Sequence, residues 1–311
     1  MPLPFTLRQL EYFDAVASEG SLVAAAERCH VSPSALALAI DELESRLALQ
    51  LVIRRKGKGI DLAPAGARLL AHARQLLAGA EAFAGEASQS ASGLRGRFVI
   101  GCFPTLAPFF LPGVIDGFRR LHDQLAFEFV EAETPELHEN LLQGRIDAAL
   151  MYGVDVASTL SFEPLRTYRP YVIVAADHPL AGRGEVDLAD LVAEPLIQLN
   201  MQPSRQNTEQ MFARVGLTPT VRYTTTNYEF ARCLVGRGLG YSILVQRLAT
   251  PTTYDGHDLA TVEISGTIPS NVVGLTRPSG SPLTAKYRAL RDVLLAGETG
   301  GLPATPAPPI A

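Results

Sequence analysis

The chain contains little that would anchor it in a membrane or cross-link it. Its three cysteines, Cys29, Cys102 and Cys233, are odd in number and far apart, with no metal-ligand spacing. They predict a reduced compartment without a metal site. No apolar run approaches the roughly 18 residues that a membrane span needs, so no membrane partner is expected. The N-terminus lacks a charged lead, an apolar run and a cleavage site, which predicts a cytoplasmic protein.

Positive charge is also scarce. The net charge is −5, and residues 1–92 hold nine Lys and Arg against ten Asp and Glu. This balance argues against a protein that coats nucleic acid without regard to sequence. The 311 residues exceed one typical domain, and the apolar fraction of 47% is sufficient for substantial cores. We therefore expect two or three folded domains.

Residues 21–46 predict two short helices joined by a tight turn. Ser21 can cap the first helix and Ser32 the second, and Pro33 occupies a first-turn position where proline is tolerated. The second helix has an apolar stripe at spacings of four, three and four residues: Leu36, Ile40, Leu43 and Leu47. This is the pattern of a helix-turn-helix, whose second helix lies in a DNA major groove. The alternative is an ordinary helical hairpin.

A basic hairpin follows the two helices. Two short apolar segments, 51–53 and 60–62, flank a glycine-containing tip with four cations: Arg54, Arg55, Lys56 and Lys58. Such a tip suits phosphate contacts or insertion into a minor groove. A solvated charged loop is the alternative interpretation. Its position directly after a helix-turn-helix favours DNA.

Several short motifs lie in a fixed order along the chain. Between residues 5 and 66 they are Leu7–Leu10, Tyr12–Phe13, Ala25–Arg28, His30–Ser32, Leu43–Glu44 and Leu62–Gly66. Further along they are Gly144–Leu150, Asp177–Leu180 and Gly238–Gly240. In identity, order and spacing these motifs resemble the LysR-type transcriptional regulators over nearly the whole chain.

The resemblance implies an α/β protein overall and a division into domains. It implies an N-terminal winged helix-turn-helix, a long linker helix, and a two-lobed α/β effector domain resembling type II periplasmic binding proteins. The expected bounds are 1–63 for the winged helix, 64–94 for the linker, 95–296 for the effector domain and 297–311 for a disordered tail. Lobe I would comprise about 95–165 and 268–296, and lobe II about 166–267.

Alternating strands and helices after Arg97 favour two α/β lobes independently of the resemblance. The predicted strands are 98–101, 127–131, 146–150, 169–174, 196–199, 220–223, 241–245 and 271–276. The predicted helices are 111–121, 136–142, 204–215, 228–237 and one after Leu283.

The linker predicts self-association. Ala65–Ala91 reads as one helix with a narrow apolar stripe: Leu69, Ala73, Leu76, Ala80, Phe83 and Ala87, flanked by Leu70, Leu77 and Ala84. A stripe sustained over nearly three heptads suggests a partner helix, and the alternative is packing on its own domain. The resemblance favours an antiparallel helix dimer, or a tetramer of two dimers, on double-stranded DNA with two-fold related half-sites. RNA polymerase is a further candidate partner.

The reading helix departs from the family's commonest pattern. Many members carry Ser, Arg and Gln where this chain has Ala37, Leu38 and Ala39. At 100° per residue, Ser34 and Leu38 lie opposite the core stripe, where a leucine can pack on a thymine methyl. The alternative is that Leu38 packs on a neighbouring helix, and Asp41 and Glu42 should lie away from phosphates. The candidate DNA-binding residues are Ser32, Pro33, Ser34, Ala37, Leu38, Arg54, Arg55, Lys56 and Lys58.

Effector contacts are expected where strands end and helices begin. The candidates are Phe103, Pro104, Thr105, Tyr152, Gln198, Asn200, Ser204, Arg205, Thr225, Thr226 and Asn227. They predict a small polar or anionic effector, with a carboxylate as one candidate and Arg205 as its charge partner. Each of these residues can alternatively be a helix cap.

No catalytic constellation is apparent. Cys102, His122, His138 and His178 have no spacing that assembles a triad or a metal set. We therefore expect a regulator that is not an enzyme, with no cofactor and no metal. A redox role for Cys102 is disfavoured because no second cysteine lies near it in sequence.

Overall fold

A computed structural model describes residues 3–55, 59–87, 94–119, 122, 125–247, 250–296 and 305–306. The chain divides into two compact units. The first comprises Met1–Leu94, Glu139–Ile146 and Gly280–Arg288, and the second Arg95–His138, Asp147–Ser279 and Ala289–Ala311. None of the described helices combines the length and apolar character needed to cross a membrane.

Three helices open the first unit: α1 (Leu7–Glu19), α2 (Leu22–Arg28) and α3 (Pro33–Leu47). A reciprocal capping box between Thr6 and Gln9 starts α1, and Gly20, at φ 60°, ends it. Leu36, Ile40 and Leu43 of α3 are fully buried against α1 and α2, as the stripe predicts. This packing confirms the helix-turn-helix.

The predicted wing is an antiparallel pair of strands, β1 (Val52–Arg55) and β2 (Gly59–Leu62). Backbone hydrogen bonds attach it to the helices. The Glu44 carboxylate accepts hydrogen bonds from the backbone N–H groups of Leu51 and Val52, at 2.6 and 2.9 Å. The Ile60 N–H donates to the Gly20 carbonyl at 2.8 Å. The wing is therefore anchored at the end of α3 and at the end of α1.

The linker is one helix, α4 (Pro64–Ala87), and the rest of the predicted Ala65–Ala91, residues 88–91, lies outside the described residues. Its first half packs on the core of the helix-turn-helix, where Leu70 and Ala73 are buried. Its second half exposes apolar side chains: Leu76 is 48% exposed and Phe83 77%. Intradomain packing therefore accounts for the first turns of the stripe and leaves Leu76 and Phe83 exposed within one chain.

The remainder of the chain alternates strands and helices. In order, the elements are β3 (Gly96–Cys102), α5 (Ala107–Arg119), β4 (Leu125–Glu131), α6 (Thr134–Leu142), β5 (Ala148–Tyr152), β6 (Leu160–Tyr168), β7 (Tyr171–Ala175), β8 (Glu185–Val186), α7 (Leu188–Leu191), β9 (Pro195–Leu199), α8 (Ser204–Ala213), β10 (Thr220–Thr225), α9 (Tyr228–Gly236), β11 (Ser242–Leu244), β12 (Leu259–Ile264), β13 (Asn271–Pro278), α10 (Ala285–Ala296) and β14 (Thr305–Pro306).

Two lobes result, as predicted. The first is built on a six-stranded sheet of order β14-β6-β13-β5-β3-β4, in which β3 runs parallel to β4 and β5. The second is built on a four-stranded sheet of order β11-β7-β12-β8 and on the parallel pair β9 and β10. Tyr241 bridges to Leu196 of β9, and a Cβ on the neighbouring Gly240 would lie 2.1 Å from the Pro195 carbonyl oxygen. Only glycine permits this approach.

Four elements between residues 95 and 296 were not predicted from the sequence: β6, β8, α7 and β12. The largest omission, β6, contains Pro164, which argues against a strand because proline cannot donate to a ladder. The register against β13 shifts between Val273 and Gly274, opposite this proline, so the strand accommodates it at an irregularity. In the predicted disordered tail, Thr305–Pro306 pairs with β6. Residues 297–304 and 307–311 lie outside the described residues.

Candidate DNA interface and ligand pocket

The outer face of α3 is the candidate reading surface. The Ser32 hydroxyl caps the helix by accepting a hydrogen bond from the Ala35 N–H at 3.2 Å, and it lies 3.1 Å from the Ser34 hydroxyl. Leu38 is 70% exposed, so within the chain it does not pack against a neighbouring helix. Ser21 is the N-cap residue of α2 but its side chain makes no capping hydrogen bond, which corrects the expected cap.

The two described cations of the wing are paired with carboxylates. Arg54 contacts Asp41 of α3 at 2.5 Å and donates to the Ala37 carbonyl at 3.4 Å. Arg55 contacts Asp61 at 2.8 Å. All four charged side chains are substantially exposed, so a phosphate can replace either carboxylate at low cost. Asp41 was expected away from the phosphate contacts, whereas its carboxylate holds a residue predicted to make them. Lys56 and Lys58 lie outside the described residues.

A cavity in the second unit is the candidate ligand pocket. Its volume is about 20 Å³, sufficient for about one water molecule. Its polar lining residues are Thr105, Tyr152, Ser204, Asn207, Thr208, Tyr228, Gln246 and Asn271. Its apolar lining residues are Pro170, Leu199, Met211, Ile243, Leu244 and Val245. Both lobes contribute, since Tyr152 ends β5 of the first lobe and Ser204 begins α8 of the second.

Three of the predicted effector residues line this cavity: Thr105, Tyr152 and Ser204. The hydroxyl oxygens of Thr105 and Tyr152 lie 3.3 Å apart. Phe103 is buried beside the cavity and packs edge-on against the Tyr152 ring, with a centroid distance of 5.4 Å. Phe103 thus supports a lining residue without lining the cavity itself.

The other predicted effector residues do not line the cavity. Arg205 is exposed and pairs with Glu209 at 3.1 Å, so it is not a charge partner there. Asn200 is exposed and accepts from Arg205 at 3.4 Å. The Asn227 side chain caps α9 by accepting from the Phe230 N–H at 2.8 Å, which fits the capping alternative. Pro104, Gln198, Thr225 and Thr226 are also absent from the lining.

The residues that sequence reasoning missed include a whole helix face. Ser204, Asn207, Thr208 and Met211 follow the i, i+3, i+4, i+7 spacing that places side chains on one face of α8. Extending the search from Ser204 by that spacing would have found the other three. Gln246 and Asn271 carried no comparable signal, because each reaches the cavity through the folding of distant segments.

Three hydrogen bonds fix the polar part of the lining. The Asn207 amide donates to the Asn271 side-chain oxygen at 2.6 Å. The Gln246 backbone carbonyl accepts from the Tyr171 and Tyr228 hydroxyls, at 2.9 and 2.6 Å. The Gln246 side-chain nitrogen is buried and has no hydrogen-bond partner among the described residues. This donor is available to a ligand.

The cavity lining is electrically neutral. Tyr152 and Tyr228 are its ionisable members, and the lining includes no Asp, Glu, Lys, Arg or His. Burial raises the pKa of Tyr152 to about 12, although the hydrogen bond to Thr105 and the nearby Gln246 side chain oppose the rise. Burial also raises the pKa of Tyr228 well above its usual value. Both phenols are therefore protonated at neutral pH.

The cysteines offer no activated thiol. All three are free. Cys102 is fully buried, and burial raises the pKa of its thiol well above the usual value. Burial likewise raises the pKa values of Cys29 and Cys233. Within the part of the chain that the structure describes, no group of three or more His, Cys, Asp and Glu residues is placed to hold a metal ion.

Known proteins match both parts of the chain. Residues 7–67 match the family of bacterial regulatory helix-turn-helix proteins of the lysR type, and residues 91–298 match the LysR substrate binding domain. A curated relative is the hydrogen peroxide-inducible genes activator of Pectobacterium carotovorum subsp. carotovorum. It is 28% identical over 289 residues, which cover 93% of this chain and 95% of the relative.

Solved structures match along nearly the full length. HinK, a LysR family transcriptional regulator from Pseudomonas aeruginosa, is 34% identical with a TM-score of 0.63, covering 94% of this chain and 97% of HinK. A full-length OxyR variant from Pseudomonas aeruginosa has a TM-score of 0.77 at 24% identity, covering 95% of this chain and 99% of the other, and supports the fold. The chain therefore belongs to the LysR family of DNA-binding transcriptional regulators, with an N-terminal helix-turn-helix and an effector-binding domain.

Proposed function

We propose that this regulator binds, as a homodimer or a dimer of dimers, to an operator with two-fold related half-sites, and that a small molecule in the cavity controls this binding. The observation that carries the proposal is the pairing of an exposed reading face on α3 with a buried, partly unsatisfied polar cavity between two lobes. An architectural DNA protein has no need of such a cavity. The predicted domain bounds, with the linker at 64–94, form part of the proposal.

Recognition of the DNA sequence is assigned to Ser34 and Leu38, with Pro33 and Ala37 beside them. Leu38 can donate no hydrogen bond, so its contribution would be apolar contact with a thymine methyl group. Arg54 and Arg55 would exchange their carboxylate partners for phosphates and supply salt-dependent affinity. Lys56 and Lys58 are assigned the same role from the sequence.

Self-association is assigned to the second half of α4. Leu76 and Phe83 are exposed and lie seven residues apart, the repeat of a helix-pairing seam. Covering them with a second copy of the helix removes apolar surface from water, and a two-fold dimer presents two reading heads to a two-fold site. RNA polymerase would be a further partner if the protein activates transcription.

The effector is assigned to the cavity through Thr105, Tyr152 and Ser204. These residues come from both lobes, so a ligand that contacts them favours one arrangement of the lobes over others. The carboxylate candidate stays a prediction from sequence alone. The cavity gives it little support, because Arg205 is paired with Glu209 outside the lining.

A peroxide response is the second candidate, suggested by the name of the curated relative. Oxidation by peroxide proceeds through a thiolate, and a reversible switch is helped by an exposed low-pKa cysteine beside a resolving partner. Burial raises the pKa of all three thiols here, and Cys102 is fully buried. The described cysteines therefore favour control by a non-covalent ligand.

Selection of bound fragments from sheared genomic DNA tests the proposal. The full-length protein is used at near-physiological salt, with and without a metabolite extract. Recovery of a few sites with two related half-sites is the expected result. Diffuse recovery under both conditions would contradict sequence-specific binding, and the Leu38→Ala variant in parallel shows whether the recovered motif depends on the reading face.

A further inference from the structure

We propose that the cavity binds a compact, uncharged molecule through a carbonyl or amide oxygen, which accepts a hydrogen bond from the Gln246 side-chain nitrogen. The inference rests on the proposed function and names the chemical class of its effector. It replaces the carboxylate suggested by the sequence with a neutral acceptor.

Gln246 is held in place by its backbone and left unsatisfied at its side chain. Only 2% of its surface is exposed, and its carbonyl oxygen accepts from two tyrosine hydroxyls, of Tyr171 and Tyr228. Its side-chain nitrogen has no hydrogen-bond partner within the described part of the chain. A buried amide donor without a partner costs free energy, and a ligand oxygen placed against it recovers that cost.

The surroundings disfavour an anionic ligand. Burying a carboxylate requires a cation or several free N–H groups, and the lining contains no cationic side chain. The arginines nearest in sequence to Ser204 and Gln246 are committed elsewhere: Arg205 pairs with Glu209, and Arg247 pairs with Glu263 at 2.5 Å and stacks on the Tyr171 ring.

Backbone N–H groups at the helix N-termini beside the cavity also have hydrogen-bond partners within the protein. In α8 the Arg205 N–H donates to the Met201 carbonyl at 2.8 Å. In α9 the Asn227 side chain accepts from the Phe230 N–H at 2.8 Å. These N–H groups are therefore already bonded within the protein, which weakens both termini as anion sites.

The remaining walls set the size and shape of the ligand. Leu199, Met211 and Ile243 form an apolar side, which fits a short hydrocarbon body. The Thr105 and Tyr152 hydroxyls can each donate or accept, so they can bind a second polar group. Because the volume of about 20 Å³ holds little more than one water molecule, a ligand must be small or must move the lobes apart.

Matched pairs of amides and carboxylates test the charge requirement. The probes are acetamide and acetate, propionamide and propionate, and benzamide and benzoate, titrated calorimetrically into the full-length protein. We expect saturable binding of at least one amide, with the corresponding carboxylate weaker by about tenfold or more, because the anion has no counter-charge in the lining. This comparison uses the unmodified protein and does not depend on the folding of a variant.

A glutamine substitution tests the assigned donor. Gln246→Met keeps a long unbranched side chain and removes the amide, and should weaken the amide ligand about tenfold, the scale of one lost hydrogen bond to a buried group. The matched control is Gln210→Met, at an exposed position of α8, which should leave the affinity unchanged.

Three results would overturn the inference: preferential binding of a carboxylate, no binding by any amide, or an unchanged affinity in Gln246→Met. Its failure is distinguishable from failure of the proposed function. If a carboxylate binds and alters operator affinity, effector control stands and the neutral-ligand inference is wrong. If an amide binds through Gln246 without any change in operator affinity, the ligand class stands and effector control is wrong.

Discussion

At the scale of single residues, Leu38 is the most distinctive position of the reading face. It is 70% exposed on a helix whose opposite face is fully buried, so nothing in its own domain requires an apolar side chain there. Exposed leucines are common and do not by themselves mark a site. Its place on the outer face of a helix-turn-helix gives it a specific expected partner, a thymine methyl group.

Replacing thymine by uracil in the selected operator tests that contact. Loss of one buried methyl group should weaken wild-type binding by about 0.8 kcal/mol, roughly fourfold. Leu38→Ala should bind the two DNAs equally, as measured by fluorescence anisotropy. Leu49→Ala, at an exposed leucine beyond α3, should behave like wild type. A uracil penalty that persists in Leu38→Ala would contradict the assigned contact.

If Arg54 binds phosphate as proposed, Asp41 competes with DNA for it. The side chain of Arg54 is 43% exposed and that of Asp41 is 53% exposed. An ion pair this exposed contributes up to about 1 kcal/mol. Asp41→Asn should therefore raise operator affinity by up to about fivefold. Asp190→Asn removes an exposed carboxylate paired with Arg183 in the second unit and controls for net charge. Equal gains in the two variants, or a loss in Asp41→Asn, would indicate that Arg54 does not contact phosphate.

Tyr152 makes the free energy of unfolding depend on pH in the alkaline range. Burial raises the pKa of its phenol from 10 to about 12, so folding favours the protonated form. This contribution is fully present below pH 10 and is lost as the pH rises through about 12. Urea unfolding from pH 8 to 11.5, followed by circular dichroism, should show a fall in the free energy of unfolding above pH 10. The fall should be smaller in Tyr152→Phe. An identical pH profile in the wild type and the variant would contradict the role assigned to Tyr152.

At the scale of elements, Glu44 joins the reading helix to the wing. Its carboxylate accepts two backbone N–H groups at the start of the wing, so it fixes the wing relative to α3. Glu44→Ala should cost about 1–3 kcal/mol in the unfolding of the first unit, since buried donors lose a charged acceptor. Urea denaturation measures this loss of stability, with Glu185→Ala, at an exposed position, as the matched control. A loss below about 0.5 kcal/mol would show that the contact is dispensable.

The second half of α4 is expected to pair with another copy. Phe83→Lys places a charge in the proposed seam and should shift the protein toward monomer by at least about tenfold in dissociation constant, because a buried unpaired cation is costly. Analytical ultracentrifugation measures the shift. Val215→Lys, at an exposed valine outside the helix, is the control. An unaltered dimer in Phe83→Lys would place the interface elsewhere.

Elements with regular periodicity could be predicted from the sequence, and irregular ones could not. The stripe of α3 and the apolar flanks of the wing specify their structures because each buries one face locally. The strand β6 escaped prediction because Pro164 argues against it, and its pairing with the distant strand β13 makes it a strand. The cavity divides in the same way: Ser204 follows from its position between a strand and a helix, whereas Gln246 and Asn271 reach the cavity only through tertiary folding.

At the scale of the whole molecule, the cavity is an uncharged pocket lined by both lobes of the second unit. Thr105 and Tyr152 belong to the first lobe, and Ser204 and Gln246 to the second. A ligand that touches both sets stabilises the lobe arrangement that brings them together. Its effect on DNA affinity must equal the effect of DNA on ligand affinity, because the two equilibria are linked.

The most direct test measures operator affinity at saturating and at zero ligand, using a metabolite found by its thermal stabilisation of the full-length protein. Fluorescence anisotropy should show a shift of at least about fivefold, the lower range of allosteric coupling. The shift should disappear in the double variant Thr105→Val with Ser204→Ala, while its affinity without ligand is retained. An unchanged operator affinity at saturating ligand, or an undiminished shift in the double variant, would contradict control of DNA binding through this cavity.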